Sequence, residues 1–407
     1  MIKLTIAEPD NFRNDYMAAV ENLILKELKI LRRSVDHARG NGLDDLSDIR
    51  SFQFTTRDVI AIICDQEKNK DDFLKKNYET TLNTFRQGAI ITPHDLSPIY
   101  DLIDALIDPA TSKLRELLLC EPSELENKSD ELYNEFGITT VEEKKIIKIV
   151  FNYKTQTDIT NAIKGFFQIK NIAPFCPYCN FHKTRYIRGT HGRGAEGFQL
   201  DHFFDKATHP LISFSVFNLV PCDWPCNGTN KLSTDFSDEY HLNPYTDGFN
   251  QTMVFKAKID PTELTVSKIL FKINENFPSD RYKQLTGNDP SVDVDTLHGN
   301  LNVFQFNSRY NDVDILERAG YVIENLNHTI NNHRIFKEVL GDTADSYTNY
   351  KNWYQRNTAG RFDPLEFIHL PLSKLWRDLH DDIYLKKATE LPEGAKDIIN
   401  RHYTVIP

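Results

Sequence analysis

A string of motifs between residues 175 and 231 constrains this chain most: FCPYCN (Phe175–Asn180), QLDHFFDK (Gln199–Lys206) and SVFNLVPCDWPCNGTNK (Ser215–Lys231). Two close cysteine pairs, Cys176-Pro-Tyr-Cys179 and Cys222-Asp-Trp-Pro-Cys226, bracket an Asp-His step and an Asn-Leu step. Zinc-ligating pairs tolerate roughly two to four intervening residues, so both pairs fit one tetrahedral site of four thiolates. Their separation is long for a finger and suits a site that clamps a larger insertion. A chain with such a staple must fold the intervening segment back so that both pairs meet.

The chain has 407 residues, which predicts about two to three domains with room for a buried core. Its N-terminal sequence lacks the apolar region of a signal peptide, and no stretch approaches the ~18 continuous apolar residues of a membrane span. The expected location is the cytoplasm. There, four of the six cysteines in two close pairs point to metal rather than disulfides. Cys64 and Cys120 lie on apolar stretches and read as core thiols.

The net charge is −11, so phosphate backbones are repelled unless positive charge is local or a partner delivers the nucleic acid. One strip qualifies: Lys183, Arg185, Arg188 and Arg193, interleaved with His182, Tyr186 and His191 and with no acid from Asn180 to Ala195. These cations are candidate nucleic-acid contacts.

Residues 1–155 read as a helical region, with apolar residues at helical spacing over Met17–Leu31, Tyr100–Ile107 and Ser112–Leu119 and a further helix over Val141–Tyr153. Residues 156–250 hold the motif string, entered by a helix over Asp158–Ile169. Residues 251–407 read as a mixed α/β region. It has a hairpin of Thr252–Ile259 and Leu264–Ile273 through Asp260-Pro261, then helices over Ile315–Leu340 and Leu372–Tyr384. The predicted fold class is α+β.

Within the string, Asp201 can hold a hard divalent cation through oxygen, and the neutral imidazole of His202 can take a proton from water near neutral pH. An Asp-His dipeptide carries little by itself; Asn218 and Asn227 downstream give it weight.

The ordered set Asp201-His202, Asn218-Leu219, Cys226-Asn227 and Lys231 resembles HNH endonucleases of the ββα-metal fold. HLNPY (His241–Tyr245) is similar to a continuation seen in bacterial members, and PLSKLWRDL (Pro371–Leu379) to a closing helix in some. The resemblance leaves the N-terminal 150 residues out. It implies a central zinc-stapled ββα-metal module that hydrolyses DNA phosphodiester bonds. His202 would be the general base and Asn218 would fix the loop that orients it. Asp201 and Asn227 would ligate Mg²⁺ or Mn²⁺, and Lys231 would help neutralise a phosphate. Cys176, Cys179, Cys222 and Cys226 would hold structural Zn²⁺.

Three positions depart from the family pattern. Asn227 stands where a histidine ligand is usual, and Asp205 where proline is common. Cys222 comes one position early, with Asp223 in the expected place, so zinc would be held by Cys222 or by Asp223. Bacterial proteins with this continuation resemble nuclease effectors of anti-phage defence, which implies an ABC- or SMC-like ATPase partner. The alternatives are a restriction-type endonuclease acting alone and an inactive HNH-like zinc module that serves as a nucleic-acid or protein-binding scaffold.

Overall fold

The computed structural model describes residues 1–41, 97–139, 141–148, 150–153, 156–184, 199–232, 234, 236–249, 253–273, 279–287, 298–331 and 346–387. Helices and small antiparallel sheet make it a mixed α+β protein. It divides into two compact units: residues 6–171 with 200–220, and residues 1–5 with 172–199 and 221–407. The division cuts across the motif string, after Gln199 and again after Val220.

The first unit is a helical layer. Its helices are α1 (Pro9–Asn41), α2 (Ser97–Ile107), α3 (Lys113–Leu118), α4 (Leu125–Glu135), α5 (Val141–Lys148) and α6 (Thr157–Lys170). On α1, Tyr16, Val20, Ile24 and Leu28 recur every four residues and are wholly buried, the stripe expected of an amphipathic helix. That stripe packs on α2 and α6. Ion pairs fasten the rim, Arg32 Nε to Asp104 at 2.8 Å and Lys170 to Asp15. At the C-terminus of α6, Asn171 adopts a left-handed conformation (φ 44°), and its N–H closes the helix on the Phe167 carbonyl.

Onto this layer folds the segment 200–220. It contains two short 3-10 turns, Pro210–Phe214 and Val216–Asn218, whose residues are all buried. Buried backbone that is neither helix nor sheet needs side-chain partners, and the layer both offers and receives them. Tyr16 donates to the Phe214 carbonyl, Ser213 Oγ to the Phe151 carbonyl, and Ser215 Oγ to the Leu117 carbonyl at 2.6 Å. Strands β1 (Gln199–His202) and β2 (Leu219–Cys222) flank this segment and form a two-stranded sheet.

The second unit is built on the antiparallel hairpin of β3 (Met253–Ile259) and β4 (Val266–Ile273), which pair from Met253↔Ile273 to Ile259↔Val266 with a bulge at Lys258/Ile259. Helices α7 (Ser279–Thr286), α8 (Asn300–Val303), α9 (Phe306–Tyr310), α10 (Val313–Asn331), α11 (Ser346–Thr358) and α12 (Ser373–Lys387) follow. α12 packs on β3 and α10 on β4. Trp376 of α12 is fully buried, with the Arg318 guanidinium 5.0 Å from its ring centre. Of the expected helix over Ile315–Leu340, the part beyond Asn331 lies outside the described residues. Residues 1–5 are stitched into this unit by backbone bonds: Ile2 N to Pro177 O at 2.7 Å, Leu4 N to Pro244 O at 2.8 Å and Phe249 N to Met1 O at 2.9 Å.

Among the described residues no helix is long and apolar enough to cross a membrane. Cys120 is a buried core thiol, its pKa pushed up to about 12 by burial. Cys64 lies outside the described residues.

Candidate functional site

Two side-chain clusters stand out among the described residues, one in each unit. In the helical unit, Asp201 and His202 end β1 and are buried, 3% and 4% exposed. The imidazole meets the Tyr153 ring edge-on, with centroids 4.8 Å apart. His202 Nε2 lies 3.0 Å from the Ser213 carbonyl. A carbonyl only accepts, so this contact places the proton on Nε2 and the basic lone pair on Nδ1.

Asn218 clamps the loop that supplies that carbonyl. Its Oδ1 accepts from Phe204 N at 2.8 Å; its Nδ2 donates to Phe204 O at 3.2 Å and to Ile212 O at 3.1 Å. Phe203 N also donates to the Asn218 carbonyl at 2.9 Å. One fully buried amide thus ties the residues just after His202 to the residue just before Ser213. Within the same loop Asp205 is a turn cap, accepting from Ala207 N at 2.9 Å and Thr208 N at 3.3 Å.

In the second unit the first cysteine pair sits on a tight knuckle. Cys176 N donates to His182 O at 2.9 Å and Asn180 N to Cys176 O at 2.7 Å, while Phe175 bridges Lys183. Asn180 takes a left-handed conformation (φ 50°) and anchors the knuckle, donating through Nδ2 to Phe367 O at 3.0 Å. Tyr310 donates to the Cys179 carbonyl at 2.7 Å. The second pair enters at the end of β2, where Pro225–Lys231 forms a π-helical turn. A Cβ on Gly228 would lie 2.8 Å from the Trp224 indole nitrogen, so the glycine lets the exposed indole lie against this turn.

The ligand atoms of Cys176, Cys179, Cys226 and Asp223 lie within 4.8 Å of one another, and all four residues are buried. Cys222, expected as the fourth ligand, is not among them. It is itself fully buried at the end of β2, and extended backbone turns consecutive side chains to opposite faces. Bringing Asp223 to the sulfurs therefore directs Cys222 away. The spacing Asp223-x-x-Cys226 repeats that of Cys176-x-x-Cys179.

Around this group, His182 Nδ1 is 2.7 Å from Asp223 Oδ2, and Arg309 Nη1 donates to Cys226 Sγ at 3.1 Å. The His182 pKa is pushed up to about 9, first by the Asp223 hydrogen bond and then by Cys179. Burial raises the thiols of Cys176 and Cys226 well above their usual range. Burial acts the same way on Cys179, but hydrogen bonds from Cys176, Cys226 and His182 outweigh it and bring that thiol well below. Three soft donors and one carboxylate in a buried knuckle fit Zn²⁺: bonds of ~2.3 Å place tetrahedral sulfurs about 3.8 Å apart.

The other expected site residues distribute as follows. Asn227 is half-buried on the π turn and donates from Nδ2 to Gln199 Oε1 at 2.8 Å, which leaves its carbonyl oxygen as the atom suited to a cation. Lys231, expected to meet phosphate, is instead turned inward: it is 2% exposed, its ammonium 4.5 Å from the Phe236 ring centre. Lys183 is exposed. Arg185, Arg188 and Arg193 lie outside the described residues.

Sequence reasoning missed Ser213, Gln199 and Arg309. Arg309 carries no local signal, since only folding brings it to a cysteine distant in the chain. His182 did carry one, standing three residues after Cys179 as a further donor on the same knuckle. Compared with protein-family models, with curated proteins and with solved structures, the chain has no match in any of the three.

Proposed function

We propose that the protein is a metal-dependent endonuclease of the HNH type that hydrolyses DNA phosphodiester bonds with His202 as general base. The observation that carries this reading is the Asn218 clamp. It holds the loop whose Ser213 carbonyl fixes the His202 tautomer, leaving the lone pair on Nδ1. A base must be presented in one tautomer and one orientation to deprotonate water in line with a phosphate. The resemblance to HNH endonucleases assigns Mg²⁺ or Mn²⁺ to Asp201 and Asn227, whose oxygen donors suit a hard cation. When bound, that cation stabilises charge on the phosphate and on the leaving oxygen.

Asp201 and His202 are nearly inaccessible, and the chain carries a net charge of −11. This supports an effector gated by a partner, an ABC- or SMC-like ATPase in a defence system, over an enzyme acting alone. The inward Lys231 favours a second reading, an inactive HNH-like module retained as a scaffold.

Nicking of supercoiled plasmid with Mg²⁺ or Mn²⁺, wild type against His202→Ala, tests the proposal. Cleavage lost in the variant supports it; equal cleavage by both overturns the assignment of His202. If both are silent, calorimetric Mn²⁺ titration decides. A site lost in Asp201→Ala retains the gated nuclease, and no such site leaves the scaffold.

A further inference from the structure

The cysteine cluster offers three sulfurs and two candidates for a fourth donor. We infer that Zn²⁺ is bound by Cys176, Cys179, Cys226 and the carboxylate of Asp223, with Cys222 outside the coordination sphere and His182 holding the carboxylate in place. The inference rests on reading this cluster as a structural zinc site, and it replaces the four-cysteine set that the sequence suggested.

Three observations converge. Among the described residues, it is the ligand atom of Asp223 that joins the three sulfurs, all four atoms lying within 4.8 Å of one another. Its two oxygens divide the work: Oδ1 is 3.9 Å from Cys179 Sγ, on the metal side, while Oδ2 is bonded to His182 Nδ1 at 2.7 Å. A ligating carboxylate whose second oxygen is held by a neighbouring donor keeps its orientation and need not choose between bridging modes. Finally, three thiolates and a carboxylate around Zn²⁺ carry a net charge of about −2, too costly to bury alone. Arg309 meets it, donating to Cys226 Sγ at 3.1 Å with a guanidinium that stays charged. His182 itself lies outside the converging group, which makes it the positioning residue and Asp223 the ligand.

An oxygen in place of the fourth sulfur gives the site a harder, less polarisable face than a staple of four thiolates. The chemistry predicts readouts separate from nuclease activity. Zinc content and chelator competition on the full chain, with cobalt substitution to read thiolate-to-metal charge transfer, are compared for wild type, Cys222→Ser, Asp223→Asn, Asp223→Cys and His182→Ala. Far-ultraviolet circular dichroism confirms folding of each.

The expected result is one zinc per chain in wild type and Cys222→Ser, with the same affinity and the same cobalt spectrum. Asp223→Asn, which keeps size but not charge, loses more than about 100-fold in affinity, and His182→Ala about 10–100-fold. Asp223→Cys regains zinc and strengthens the cobalt charge-transfer band, as a fourth thiolate requires. Zinc lost in Cys222→Ser but kept in Asp223→Asn overturns the proposal and restores the four-cysteine set. A larger loss in His182→Ala than in Asp223→Asn also overturns it and makes the imidazole the ligand. A wild type that binds no zinc overturns the structural-zinc reading itself.

Discussion

At the scale of single residues, one device recurs: a buried or half-buried asparagine standing in for a strand. Asn218 presents its C=O and NH2 to the N–H and C=O of Phe204, Asn300 does so for Leu242 at 2.7 and 3.3 Å, and Asn311 for Ile269 at 2.7 and 3.1 Å. The side-chain amide is the fragment that carries an adjacent donor and acceptor at peptide spacing, so it satisfies a buried backbone pair where no strand is available. Removing one leaves two or three buried groups unpaired, each worth roughly 1–3 kcal/mol. Asn218→Ala is therefore expected to lose about 2–4 kcal/mol in urea unfolding. Asn218→Asp should lose at least as much, because a carboxylate would face the carbonyls of Phe204 and Ile212 with no proton to give. Equal stability of wild type and both variants would show that the clamp contributes nothing. The Asn-Leu step was legible as a motif; that its amide bonds to three separate backbone atoms was not, because two of those partners belong to a loop without regular structure.

At the scale of elements, the β3–β4 hairpin illustrates how exposed sheet edges are closed by helices. Asn311, just after α9, covers the β4 edge, while Asp378 of α12 accepts Phe255 N on β3 at 2.9 Å. Asp378 is buried with Lys374, whose ammonium lies 2.7 Å away, and burial raises its carboxyl to about 6. The folded state thus keeps the Asp378 proton up to about pH 6, while an unfolded chain releases it near pH 4. The stabilisation linked to that proton is complete below about pH 4 and is lost as pH rises to about 6, at most on the order of 3 kcal/mol. Denaturant melts across this window should show Asp378→Asn with a flatter profile than wild type. A matching slope in both would remove Asp378 as its source.

The turn before the hairpin has a tighter constraint. A Cβ on Gly248 would lie 2.5 Å from Lys3 N, a backbone atom that cannot move without undocking residues 1–5. Gly248→Ala should cost roughly 1–3 kcal/mol and speed proteolysis at the N-terminus. Both strands and the helical stripe of α1 were legible from alternation and four-residue spacing. The short helices α7, α8 and α9 were not, since pieces of four to eight residues carry too little periodicity to stand out.

At the scale of the whole molecule, net charge bears on the proposed encounter with DNA. With −11 overall and Lys231 turned inward, unaided binding to duplex DNA at about 0.15 M salt is expected to be weaker than about 1 μM. Fluorescence anisotropy against salt checks this. Tight binding with a steep salt slope would mean that the basic strip of residues 183–193 is sufficient and no partner need deliver the DNA.

What the chain alone makes legible is local. Two cysteine-bearing turns were expected to meet, and a hairpin was expected over Thr252–Ile259 and Leu264–Ile273. Each of these depends on neighbours a few residues apart, where periodicity and ligand spacing act directly. Folding in three dimensions decided the rest: that Asp223 rather than Cys222 faces the sulfurs, that Arg309 attends Cys226, and that Lys231 packs on Phe236. Those outcomes turn on the face to which a strand end or a π turn directs a side chain. A shift of one residue reverses that face while leaving the motif unchanged.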